Sequence, residues 1–259
     1  MSIETRKKSL LYLTQNRGLF IGHLPSSMKI CQPSPTFLLS LDDKLSISYK
    51  NEILTTKSCI VPAGVAIEVE LSNSFIADFM LDRLDLDFDL LKENMVHFKD
   101  DIYSKFLKEE AFITSLKDIY ENEYELHEVF ERLTRILYEL NFTRKKAYID
   151  TRIERVINFL RDTPFDNVPI EELAKIATVS VPRLVQLFKQ QVGVPIRKYR
   201  QWRRLFETAN GVAEGHTVTQ AALDAGFNDA PHFCNTFKDM FGLSPKQIFA
   251  KETNVILKK

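Results

Sequence analysis

Cysteine is scarce in this chain: three occur in 259 residues, Cys31, Cys59 and Cys234, with no C-x-x-C pair among them. That spacing argues against a disulfide framework and against a zinc site, and all three are read as ordinary small side chains. Long apolar runs are missing as well. The stretches 59–63 and 75–81 fall far short of the roughly 20 residues that a membrane helix needs. The opening MSIETRKKSLLYL has no secretory apolar core followed by a small-residue cleavage site. The expectation is therefore a cytoplasmic chain with no membrane partner. Net charge is lacking too, with 35 basic against 35 acidic side chains. The balance is uneven along the chain, however. Residues 1–148 carry 19 Lys and Arg against 23 Asp and Glu, and residues 149–259 carry 16 against 12, so the second part is the better suited to phosphate.

Hydrophobic residues at 44% and charged residues at 27% are near globular averages. The length favours two domains over one. From residue 19 to about 86 the pattern is strand-like, with short alternating or β-branched runs at 37–41, 45–49 and 66–71. Turn signals at 42–44, 50–52 and 62–64 recur about every ten residues, the rhythm of a small β-barrel or sandwich. From about 91 to 142 the period becomes helical, for example Phe130, Leu133, Leu137 and Leu140, with no proline in the stretch. Two or three amphipathic helices are expected there. A basic patch, Arg144-Lys145-Lys146, marks the domain boundary, giving expected units at 1–90, 91–148 and 149–252.

The last segment is helical in short, punctuated pieces. Ile153, Val156, Ile157 and Leu160 form one stripe, ended by Thr163-Pro164. Pro169 opens the next helix, where its missing N–H costs nothing. Ser180 is a good N-cap and Gly193 a good left-handed stop for the helix between them. The segment also repeats itself at an offset of 49. Pro182, Arg183, Leu184, Gln186, Phe188, Lys189 and Gly193 align with Pro231, His232, Phe233, Asn235, Phe237, Lys238 and Gly242. Each copy reads as a short helix, a tight turn and a second helix, with apolar residues four apart packing it onto a scaffold. The other face presents Arg183, Gln186 and Lys189, or His232, Asn235 and Lys238, side chains able to bond to phosphates or base edges.

Leu173-Ala174, Leu187-Phe188-Lys189, Trp202-Arg203-Arg204-Leu205, Ala225-Gly226-Phe227-Asn228-Asp229, His232-Phe233 and Phe241-Gly242-Leu243-Ser244-Pro245 together resemble the AraC/XylS family of transcription regulators. The resemblance covers about residues 150–250. It implies an all-α domain of seven helices in which two helix-turn-helix units are joined by a long helix, here 196–212. Double-stranded DNA is the implied partner. Base contacts carried over by position are Pro182, Arg183, Val185 and Gln186, then Pro231, His232 and Asn235, with Lys189 and Lys238 on phosphates. This chain has Asn235 where many members have arginine, so adenine rather than guanine is the natural base there. Pro182 and Pro231 offer only apolar contact. Trp202 reads as a packing residue of the long helix.

The first half is similar to the cupin-like sensor domains that often precede such a DNA-binding domain, and residues 91–142 to their dimerisation helices. A homodimer, a small organic effector and contact with RNA polymerase follow as expected partners. Between residues 19 and 86 there is a single histidine, His23, and no H-x-H, so no metal and no cofactor are expected and enzyme activity is disfavoured. A sensor interior is expected to be lined by Phe37, Leu39, Ile47, Tyr49, Ile67 and Val69. The same residues would equally fill a closed core. The reading is a sequence-specific, effector-responsive regulator. Two alternatives stay open: a purely structural dimerisation module ahead of the DNA-binding domain, or a cupin enzyme fused to it.

Overall fold

Alternation along the strands of the first half decides which side of a sheet each residue serves. In a computed structural model, described over residues 8–14, 17–24, 27–71, 74–82, 84, 87–139, 149–249 and 255–258, nine strands come first. They are β1 (Ser9–Leu13), β2 (Gly18–Leu24), β3 (Met28–Ile30), β4 (Thr36–Ser40), β5 (Leu45–Tyr49), β6 (Glu52–Thr56), β7 (Ser58–Val61), β8 (Ile67–Glu70) and β9 (Ser74–Met80). Helix α1 (Asp87–Glu93), the hairpin β10 (Val96–Lys99) and β11 (Ile102–Ser104), and helices α2 (Glu109–Asn122) and α3 (Leu126–Tyr138) follow. Two sheets result. The larger runs β10-β11-β7-β4-β9-β2-β1 and ends on a last strand, β12 (Val255–Lys258), which pairs parallel with β1; the smaller runs β3-β8-β5-β6.

The larger sheet is covered on both faces, so β1, β4 and β7 are buried end to end, with serine or threonine only at their ends. On one face Leu19, Ile21, Phe37, Leu39, Ala77 and Phe79 meet α1, α2 and α3 through Phe88, Phe112, Leu116, Val129 and Leu133. On the other, Phe20, Leu38, Ile76 and Met80 meet the smaller sheet through Ile47, Ile67 and Val69. The expected β domain is thus an antiparallel two-sheet structure, closed by helices on one side.

The helical expectation for 91–142 missed the β10–β11 hairpin. Its strands are only four and three residues long, and its turn at Asp100 has φ 49° in a non-glycine residue. A period of two over so few residues is lost between flanking helices. The basic patch at 144–146 lies outside the described residues.

The second half has seven helices among its described residues: α4 (Thr151–Asp162), α5 (Ile170–Ala177), α6 (Val181–Val192), α7 (Ile196–Ala213), α8 (Val218–Asp224), α9 (Ala230–Phe241) and α10 (Pro245–Phe249). The long helix expected over 196–212 is α7. Asp150 caps α4 by accepting from the Arg152 backbone N–H at 3.0 Å, and the Arg152 guanidinium holds its carboxyl at a pKa of about 2. Ser180 stands at the N-cap of α6 with extended backbone, yet its hydroxyl makes no capping bond. Asp229, 49 residues on, does cap α9, accepting from His232 N–H at 2.6 Å.

The two halves share cores. Trp202, Leu205, Phe206, Phe233, Phe237 and Met240 join the cluster between the sheets, while Ala63 and Leu84 of the first half join the core of α4 to α6. Arg161 of α4 pairs with buried Asp82. Closest of all are two glycines that end repeat-related helices. Gly193, after α6, has φ 91°, and a Cβ there would stand 2.8 Å from the Ala63 carbonyl oxygen. Gly242, after α9, has φ 70°, and a Cβ would collide with that of Lys29. Left-handed backbone and close approach together require glycine at both.

Candidate nucleic-acid interface and cavity

Helices α6 and α9 each turn a period-four stripe inward. Leu184 and Phe188 in the first, and Phe233 and Phe237 in the second, are buried. Opposite them in α6, Pro182, Arg183, Val185, Gln186 and Lys189 are all exposed. Arg183 Nη1 donates to Gln186 Oε1 at 2.8 Å, so the two side chains form one polar unit on the helix surface. No acidic residue occupies the first turn of α6, leaving its positive end unopposed from within.

The second copy is less open. Pro231, Asn235 and Lys238 are exposed, but His232 is half-buried, edge-on to Phe227 at 5.4 Å and with Nε2 3.4 Å from Gln201 Nε2. Gln190 on α6 and Cys234 on α9 also lie exposed. Spacing from Gln186 and Pro231 was enough to find both, at i+4 and i+3 respectively.

The two units are tied through α7. Arg204, buried, donates to Asn167 Oδ1 at 2.7 Å in the loop before α5 and lies beneath Gly226, in the turn before α9. Arg200 donates to the Val168 and Asp166 carbonyls at 2.8 and 2.7 Å. Trp202 is buried between Phe206, at 4.9 Å, and Phe241, at 5.7 Å between ring centroids, a packing role rather than a platform for bases.

A cavity of about 80 Å³ lies where the β domain meets α7 and α9. Ile76 and Met80 of β9 and Phe206 and Phe237 from the helices form much of its wall, with Gln32 and Asp78 as its polar residues. None of the six residues expected to line a sensor interior lines this cavity. Phe37 and Leu39 face α2 and α3 on the far side of the sheet, because strand residues alternate and the cavity takes the even face of β9. Ile47, Ile67 and Val69 fill the space between the sheets, and Tyr49 reaches outward to bond Asp100 at 2.7 Å. His23 stacks on Phe75 at 4.5 Å. Among the described residues no group of three His, Cys, Asp or Glu side chains is placed to hold a metal, and no helix is long and apolar enough to cross a membrane.

A family described as a helix-turn-helix domain matches residues 173–251. The XylDLEGF operon transcriptional activator 3 of Pseudomonas putida is 30% identical over 96 residues, which are 36% of this chain and 29% of that protein. The transcriptional activator RhaS of Klebsiella pneumoniae is 26% identical over 121 residues, 46% of this chain and 44% of its own. The C-terminal domain is of the AraC/XylS type. An uncharacterized HTH-type transcriptional regulator of Haemophilus influenzae matches over 102 residues at 29% identity, 39% of this chain and 34% of that protein. The chain therefore spans less than half the length of these curated relatives, and the likeness lies in the AraC/XylS-type domain. The fold is similar to that of ToxT from Vibrio cholerae. A crystal structure of an apo ToxT variant superposes with a TM-score of 0.62 at 12% identity, covering 90% of this chain and 96% of the other. A second, of ToxT with bound unsaturated fatty acid, gives 0.57 at 11%, covering 90% and 95%.

Proposed function

We propose that this protein is a sequence-specific DNA-binding transcription regulator whose β domain senses a small organic effector. The observation that carries the reading is the pair of repeat-related helices α6 and α9, each with a buried apolar stripe and an exposed polar face, joined by α7. Arg183 and Gln186 in the first, and Asn235 in the second, are the base-reading side chains. Pro182, Val185 and Pro231 make apolar contact with bases. Lys189 and Lys238 bind phosphates, with His232 a lesser contact because it is half-buried.

The cavity between the β domain and the second helix-turn-helix unit supports the sensor reading over a purely structural first domain, which would be filled by its own side chains. Its occupant would touch both halves and so bias how the recognition helices are held, the differential contact that allosteric coupling needs. A fused enzyme is disfavoured by the packing of His23 against Phe75. Homodimer formation through the region 91–148 and contact with RNA polymerase complete the proposal.

Selection of the purified protein on random duplexes at two salt concentrations tests it. Two short enriched blocks about one helical turn apart are expected, superimposed on salt-sensitive binding from phosphate contacts. Salt-sensitive binding with no enrichment would overturn the base-reading role.

A further inference from the structure

The cavity is apolar except where Gln32 and Asp78 meet at its wall. Gln32 Nε2 donates to Asp78 Oδ2 at 2.6 Å, and Thr36 Oγ1 donates to Asp78 Oδ1. The geometry fixes the amide's orientation, since only its nitrogen can face a carboxylate. Gln32 Oε1 is consequently left buried with no donor, in a residue only 3% exposed. Both polar groups at the wall are therefore acceptors: an amide oxygen with nothing to accept, and a carboxylate with lone pairs to spare. No Lys, Arg or His is among the described residues that line the cavity, and burial outweighs the two hydrogen bonds in setting the Asp78 carboxyl, which is pushed up to about 6.

We infer that this cavity takes a molecule with an apolar body and a hydrogen-bond-donor head, a hydroxyl or a protonated amine, and rejects a carboxylate. The inference rests on the effector reading of the cavity given above. The donor head completes Gln32 Oε1 and Asp78, while the body lies against Leu205, Phe206 and Phe237. Met28 and Met80, unbranched and polarizable, let the wall adjust to the length of the body. The enclosed space holds the head and a short alkyl segment, and the cavity is partly open, so a longer chain continues toward its mouth. The fatty acid named in the ToxT structure has the opposite head. Its anion would meet Asp78 here with no cation to receive it, so a shared fold carries a reversed preference.

The chain has one tryptophan, Trp202, and its two aromatic neighbours, Phe206 and Phe241, both line the cavity. Its fluorescence therefore reports occupancy. The test titrates the full chain at pH 7.5 with 1-octanol, octylammonium and octanoate, reading Trp202 emission and the thermal midpoint. The two donor-headed probes are expected to bind at least tenfold more tightly than octanoate. In Asp78→Asn the new amide donates to Gln32 Oε1 and turns Gln32 Nε2 toward the cavity, so octanoate gains and the ratio falls below threefold. Gln32→Met, which removes the unsatisfied acceptor, weakens octanol about tenfold and leaves octanoate unchanged, a second readout should the first variant fold poorly. Octanoate binding as tightly as octanol to the native chain would overturn the head-group inference and leave the cavity as an effector site. No response to any of the three probes would overturn both.

Discussion

Asp78 sits on the central strand β9, opposite Phe20 on one neighbour and Leu38 on the other, hydrogen-bonded by Thr36 and Gln32 and with no cation beside it among the described residues. Burial raises its pKa from 3.8 to about 6, so the folded state holds the proton more tightly than the unfolded chain does. The stability associated with this proton is fully present below about pH 4 and is lost as pH rises through 6. Asp78→Asn is neutral at every pH and still makes two hydrogen bonds, accepting from Thr36 and donating to the flipped Gln32. It is expected to raise stability above pH 7 by on the order of 3 kcal/mol and to make little difference near pH 4. Thermal melts of both proteins from pH 4 to 8 check this, and a gap that does not change with pH would count against a buried, unpaired charge.

Gly242 gives a second prediction at this scale. Gly242→Ala meets both a positive φ and the Lys29 carbonyl, whereas Gly215, with φ 95° and open space around it, meets only the first. Both substitutions should destabilise, Gly242→Ala by roughly 1–3 kcal/mol more, as strain at a special backbone position adds to displacement of a neighbouring chain. Denaturant midpoints of the two variants measure the difference. Neither the burial of Asp78 nor the contact at Gly242 was legible in the sequence. Asp78 is a single acid inside the stretch 75–81, which reads as an apolar run, and a contact between residues 29 and 242 leaves no local trace.

Among the elements, the recognition helices carry the clearest expectations. Arg183→Ala and Asn235→Ala should each cost roughly 1–3 kcal/mol on a selected site and little on random DNA. Lys189→Ala and Lys238→Ala should weaken all sequences alike and lower the salt slope by about one each. Titrations of specific and random duplexes at several salt concentrations separate the two classes, and uniform losses for all four would remove the base-reading assignment. These helices were readable because the 49-residue repeat, the stripes at Leu184 and Phe188 or Phe233 and Phe237, and the stops at Gly193 and Gly242 are all local signals. The β domain was readable in its turns and in strands such as β4, β5 and β8, but not in which face each strand turns to the cavity. Alternation says that Phe37 and Leu39 share a face, but both faces of that sheet are apolar, so nothing in the strand said which one looks toward the cavity.

At the scale of the whole molecule, a core that draws Ile76 and Met80 from one half and Phe206 and Phe237 from the other couples their unfolding. Burying one such side chain contributes about 1.5–3 kcal/mol, and several cross the boundary together. Scanning calorimetry of the full chain should show one transition with calorimetric and van't Hoff enthalpies in agreement; two resolved transitions would mean that the shared core is too weak to couple the halves.

The pair of glycine contacts has a consequence for how the long helix can change. One inserted residue within α7 would turn everything after it by about 100° and carry it about 1.5 Å along the axis. Gly193, ahead of α7, would keep its seat against Ala63, while Gly242, beyond it, would be swung away from Lys29. Even four added residues overshoot a turn and lengthen the helix by about 6 Å. The eighteen residues of α7 thus act as a ruler read at both ends by the β domain, and insertions between the two units are the changes this architecture tolerates least.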